Sequence, residues 1–188
     1  MTLPNQLTLL RLLITVIFVV SWGISSAWGV TIAALAFVAA VLTDYLDGVL
    51  ARRLKCETDF GRLLDPLADK VLIAAALVSL VASSDIPAWA AIALISRDFL
   101  ITGLRQLALS HGTILSADPA GKIKTAGQMI MILFFLIREA AEQWLPSQVG
   151  PTSLVLPGQI LLGLSLILSL YSGWNYTRKH WSVVVRSA

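Results

Sequence analysis

Five aspartates lie in the stretch TDYLDGVLARRLKCETDFGRLLDPLADK, residues 43–70 of a chain that is otherwise strongly apolar, and four of them, Asp44, Asp47, Asp65 and Asp69, fall at helical spacing. On a helix turning about 100° per residue, Asp44 and Asp47 share one stripe with Gly48 and Ala51. Gly61, Asp65 and Asp69 step by four and share another. Two acids beside two very small residues make a negative notch with space next to it, and Gly48, lacking a Cβ, lets a ligand approach the backbone. If the two stripes face each other, four carboxylates converge, and without a cation they repel or take up protons. All-oxygen ligands favour hard divalent ions such as Mg²⁺ or Mn²⁺ over zinc. Four carboxylates can hold two such ions about 4 Å apart, which is the arrangement of metal-assisted phosphoryl chemistry, and one acid can accept a proton from an attacking hydroxyl. Solvation, pairing with Arg52 or Arg62, or an ion pathway would account for one such aspartate. Four on two matched stripes favour the metal site. Glu57 and Asp59 read as solvated loop residues, His111 and His180 as surface residues, and Pro66 as a bend in the third helix or its start.

The elements that carry these acids are membrane spans. Of the 188 residues, 57% are hydrophobic and only 13% charged, about half the charged share usual in soluble domains. Mean hydropathy is +0.81. So much apolar surface needs lipid as solvent, and a span takes about 20 residues. Six segments qualify, at 7–24, 28–51, 62–83, 87–109, 122–144 and 153–176. The predicted fold is all-α and polytopic, with six transmembrane helices in a single domain over 1–188. "SSA" at 25–27 resembles a signal cleavage site, but the preceding segment carries too little charge for a secretory leader.

Lys and Arg set the orientation. Arg52, Arg53, Lys55, Arg62, Lys122, Lys124, Arg178, Lys179 and Arg186 fall on one side, against Arg138 on the other. The positive-inside rule then puts both termini and the acids on the cytoplasmic face of the cell membrane. Trp22, Trp28, Trp89 and Trp144 mark outer ends, Trp174 and Trp181 inner ones. The net charge of +3 fits topology and anionic-lipid contact rather than nucleic-acid binding. Cys56 is the only cysteine, so no internal disulfide can form; it reads as a free thiol in the inner loop.

The order Asp44-x2-Asp47-Gly48-x2-Ala51-Arg52-x8-Gly61-x3-Asp65-x3-Asp69 resembles the signature of the CDP-alcohol phosphotransferase family at every fixed position. The six-span layout extends the likeness over nearly the whole chain. The resemblance implies a dimeric membrane enzyme that displaces CMP from a CDP-activated lipid or headgroup with an alcohol. It implies that Asp44, Asp47, Asp65 and Asp69 bind two divalent ions and that Asp69 is also the general base. Gly48, Ala51, Arg52 and Gly61 would accommodate the CDP portion alongside Asp47, with Thr58 a hydroxyl donor to it. Asn5 and Thr8 either cap the first helix or touch the CDP-lipid.

The segments PNQLTLLR (4–11), SRDFLITGLRQLAL (96–109) and GKIKTAGQM (121–129) look like those of the family branch that joins CDP-diacylglycerol to glycerol 3-phosphate. Arg97 and Arg105 interrupt an apolar span, where a charge normally faces protein or a polar cavity. With Lys122, Lys124 and Arg11 they could form a pocket for a phosphate dianion, arginine through paired hydrogen bonds and lysine as a point charge. In the plainer reading Arg97 pairs with Asp98, and Arg11 and the lysines snorkel to lipid phosphates. Lys70, next to Asp69, is expected to point elsewhere on its helix. Other readings are the same chemistry on inositol phosphate or serine, and a divalent-cation transporter using the aspartates as a transit site. An assembly role leaves the acids unexplained.

Overall fold

The computed structural model describes residues 3–24, 26–54, 59–110, 119–145 and 154–179, with the side chains of 3–7, 45–54, 59–66, 110 and 119 left aside. The described residues form six helices: α1 (Leu3–Gly23), α2 (Ala27–Leu54), α3 (Asp59–Ala82), α4 (Ala88–Ser110), α5 (Pro119–Trp144) and α6 (Val155–Lys179). Each coincides with one of the six apolar segments. At the end carrying the aspartates, every helix runs one to four residues past its segment. Hydropathy marks the depth of hydrocarbon, whereas backbone hydrogen bonding continues into polar sequence. Asp59 accordingly opens α3 instead of lying in a loop. Pro66 lies inside α3, not at its start.

The helices pack in a closed order, α1–α2–α5–α6–α4–α3 and back to α1, with α3 and α5 also meeting across the middle. Leu77 and Leu80 of α3, Leu94 of α4 and Ile132 and Leu136 of α5 fill the centre without solvent exposure. Gly158 sets the approach of α6 to α5: a Cβ there would lie 2.8 Å from the Phe135 ring. Outside the bundle, Leu13, Leu35, Val78, Ile92, Ile130 and Ile167, one from each helix, are more than half exposed. Contiguous apolar surface on this scale needs a lipid partner rather than water. Three helices are long and apolar enough to cross a membrane, over Ala27–Asp44, Ala120–Trp144 and Val155–Lys179. The chain is thus an all-α, polytopic membrane protein with at least three such spans. In α3 and α4, Asp and Arg side chains interrupt the apolar run.

The end away from the aspartates is tied by polar contacts. Ser26 accepts the Gly29 N–H at 3.1 Å and caps α2. The α3 terminus closes on Ser84, at φ 65°, with Asp85 N–H to Leu80 O at 3.0 Å and Ser84 N–H to Val81 O at 3.0 Å. Those two bonds satisfy the last carbonyls in a left-handed cap. Arg138 of α5 then reaches Asp85 at 3.0 Å and Glu142 at 2.7 Å. Burial raises the Asp85 carboxyl above its ordinary pKa, outweighing the Ser83 hydrogen bond and the Arg138 charge that lower it. Trp28 and Trp144, both expected at the outer end, meet edge to face with centroids 4.9 Å apart. The Trp144 indole donates to Thr31 at 2.9 Å.

Candidate active site

At the opposite end α1 supports the first acid. Arg11 Nη2 lies 2.8 Å from Asp44 Oδ1, the arginine side chain being 2% exposed and the carboxylate 43%. The buried guanidinium thus holds the acid from below and leaves its outer face open. Thr8, one turn earlier on α1, is also buried, so it faces the bundle. Asp69 lies on α3 between the buried Ala68 and Leu72, at the margin of the face that packs into the core. Its Oδ2 accepts a hydrogen bond from Lys70 at 3.2 Å. Lys70 therefore does not point elsewhere on the helix: its flexible stem carries the ammonium back to the neighbouring acid.

The expected site positions Asn5, Asp47, Gly48, Ala51, Arg52, Gly61 and Asp65 have side chains outside the described residues, and Thr58 and Cys56 lie outside them altogether. Among the described residues no three His, Cys, Asp or Glu gather into a metal-holding group. Asp44 and Asp69, the two expected ligands that are described, present carboxylate oxygens partly open to the surface. That donor type fits a hard divalent ion.

The cations expected around an acceptor phosphate separate into distinct places. Arg11 stands with Asp44. Arg97 and Lys124 come together through a residue that the sequence reading treated only as Arg97's alternative partner. Asp98 Oδ1 accepts from Arg97 Nη1 at 3.2 Å and from Lys124 Nζ. Asp98 and Lys124 are buried. Arg97 is also tied to α6, donating from Nε to Ser169 O at 3.2 Å and from Nη2 to the Ser172 hydroxyl. Gly173 makes room for it, since a Cβ there would fall 3.1 Å from Arg97 Cγ. Three fixed contacts leave two of the five guanidinium N–H groups for a ligand. Arg105, two turns along α4, donates to the Tyr176 hydroxyl at 3.3 Å and lies 5.4 Å from the centre of that ring. Lys122 is exposed.

Ser169, Ser172 and Tyr176, and Asp98 as the partner of Lys124, are not foreseen in the sequence as partners of these cations. One signal was available. Ser165, Ser169, Ser172 and Gly173 form a small-residue stripe on α6, and all four are buried. Such a stripe lets a neighbouring helix or a long polar side chain approach closely.

Known proteins place this arrangement. The family model for CDP-alcohol phosphatidyltransferase matches residues 1–171. The chain belongs to the CDP-alcohol phosphatidyltransferase family. It is 36% identical over 197 residues to the CDP-diacylglycerol--glycerol-3-phosphate 3-phosphatidyltransferase of Bacillus subtilis, covering 98% of each chain. It is likewise 36% identical to CDP-diacylglycerol--glycerol-3-phosphate 3-phosphatidyltransferase 2 of Arabidopsis thaliana, over 98% of this chain and 82% of that one. A protein with the first of these names from Yersinia pestis is 34% identical, over 97% and 96% of the two chains. Membership of this family makes the chain an enzyme rather than a cation transporter. The family match takes in every expected site position and Ser169 but ends before Ser172, Gly173 and Tyr176.

Proposed function

We propose that the protein transfers a phosphatidyl group from CDP-diacylglycerol to glycerol 3-phosphate, forming phosphatidylglycerophosphate and CMP. Relatives bearing the name of that activity align with almost the entire chain. The observation that carries the acceptor assignment is the Arg97–Asp98–Lys124 group, a half-buried arginine and a buried lysine on one buried carboxylate inside an apolar bundle. Excess positive charge at such depth is costly unless an anion arrives to complete it. A phosphorylated alcohol supplies that anion, whereas serine lacks a phosphate.

Asp44, Asp47, Asp65 and Asp69 would hold two divalent ions, Mg²⁺ or Mn²⁺, which when bound neutralise the pyrophosphate oxygens. Arg11 fixes the Asp44 carboxylate in place. Gly48, Ala51, Arg52 and Gly61, with Asp47, Thr58, Asn5 and Thr8, form the CDP-lipid side of the site. Arg97, Lys124 and Arg105 receive the acceptor phosphate, Lys122 stands at the entrance, and Arg11 meets the acceptor only at its reacting end. The primary hydroxyl of glycerol 3-phosphate attacks the lipid-side phosphorus. A new P–O bond forms as the P–O bond to CMP breaks, and Asp69 takes the hydroxyl proton. Acyl chains stay in the bilayer while CMP leaves to the aqueous side, which explains a site at the inner ends of the helices. The expected product from purified protein, CDP-diacylglycerol, Mg²⁺ and glycerol 3-phosphate is phosphatidylglycerophosphate, identified by mass spectrometry of the extracted lipid. A different lipid product, or none, contradicts the assignment.

Six membrane crossings, both termini in the cytoplasm and a homodimer complete the reading. The single cysteine, Cys56, tests the orientation. A membrane-impermeant maleimide is expected to label it in inverted vesicles and to leave it unlabelled in intact spheroplasts. Labelling from the outside of spheroplasts would reverse the topology.

A further inference from the structure

Two buried polar groups beside the cation cluster have no protein partner among the described residues: the side-chain nitrogen of Gln128 and the hydroxyl of Ser169. Both residues are 1% exposed. An unpaired amide or hydroxyl is costly in a protein interior and more so at membrane depth, where bulk water is absent. Their positions are specific. Gln128 lies one turn beyond Lys124 on the same face of α5. Ser169 supplies the carbonyl that accepts from Arg97 Nε. The Ser165 hydroxyl donates to Gly127 O at 3.3 Å and holds α6 against α5 at this level. Both residues therefore lie on the two helices that also carry Lys124 and the carbonyl bound by Arg97.

We propose that Gln128 and Ser169 bind the secondary hydroxyl of the acceptor, and so select a phosphorylated polyol with a hydroxyl next to its phosphate-bearing carbon. The inference rests on the acceptor site proposed above. A hydroxyl is both donor and acceptor: it accepts from the Gln128 amide and donates to Ser169 Oγ. In glycerol 3-phosphate that hydroxyl is one carbon from the phosphate ester, and the primary hydroxyl is left free to react. One helical turn, about 5.4 Å, separates Lys124 from Gln128 and suits a phosphate held by the first with its neighbouring hydroxyl held by the second. A site built to pair a hydroxyl rejects the analogue without it, because its own polar groups are then left unpaired.

The test compares glycerol 3-phosphate with 3-hydroxypropyl phosphate, which lacks only the secondary hydroxyl, on the full-length protein in detergent with CDP-diacylglycerol and Mg²⁺. Wild type is expected to show a KM for 3-hydroxypropyl phosphate about tenfold or more above that for glycerol 3-phosphate. Gln128→Met is expected to raise the KM for glycerol 3-phosphate by about tenfold while moving that for 3-hydroxypropyl phosphate by less than about twofold. Ser169→Ala, a smaller change, is expected to act in the same direction and carries the test if the methionine variant does not fold. Equal shifts for both acceptors, no shift for either, or a wild type that treats them alike would overturn the inference and leave these groups to ordered water. Wild-type turnover of neither acceptor would instead refute the proposed function, and shows without any variant.

Discussion

Asp69→Asn is expected to lower kcat for CMP release by about 10²- to 10⁴-fold, the range for losing a positioned general base. The substitution keeps the shape of the side chain, and its amide oxygen can still accept from Lys70. An amide can neither take up the hydroxyl proton nor ligate a divalent ion as a carboxylate does. The structural cost is small. The Asp69–Lys70 pair spans 3.2 Å between partly exposed groups, and such pairs contribute about 0–1 kcal/mol. The variant should therefore fold and melt like the wild type in detergent. The KM for the acceptor should change little, because the phosphate contacts lie on α4 and α5. Kinetics of the wild type and the variant provide the measurement, and a variant retaining half the wild-type kcat would remove Asp69 from the chemistry.

Removal of divalent ions is expected to abolish activity altogether. Chelation with EDTA should stop CMP release, and added Mg²⁺ or Mn²⁺ should restore it, since hard ions suit an all-carboxylate donor set. Asp44→Asn sharpens the test. Loss of one charged oxygen ligand should raise the Mg²⁺ concentration for half-maximal activity by about tenfold or more, at least the effect of losing an outer partner of a metal site. Arg11 adds a second consequence. With Asp44 neutral, its side chain remains 2% exposed beside an uncharged amide, so this variant should also lose thermal stability. Full activity after exhaustive chelation would exclude the metal-assisted reading of the four aspartates.

The helices were legible because an apolar segment is a local pattern. An apolar segment declares a span, and Asp44 with Asp47, or Gly61 with Asp65 and Asp69, declares a face through helical periodicity alone. The partners of the cations were not legible in the same way. Arg97 finds Ser169 and Ser172 at separations of 72 and 75 residues, contacts that exist only once α4 packs against α6. Lys124 finds Asp98 26 residues away, so the plainer reading of Arg97 as Asp98's partner held but captured half of the arrangement. Arg11, grouped by charge with the acceptor cations, went to Asp44 because α1 lies along α2. Charge type grouped these residues in the sequence, and packing decided which of them meet. The helix ends were misplaced for a simpler reason: a hydropathy profile measures lipid, and the helices extend beyond it.

The acceptor is decided by CMP release from purified protein with CDP-diacylglycerol and Mg²⁺. Glycerol 3-phosphate, inositol phosphate and serine are offered separately, with Asp69→Asn alongside as the control. Release is expected to require glycerol 3-phosphate and to disappear in the variant. Release supported by inositol phosphate or serine, and not by glycerol 3-phosphate, would contradict the acceptor assignment.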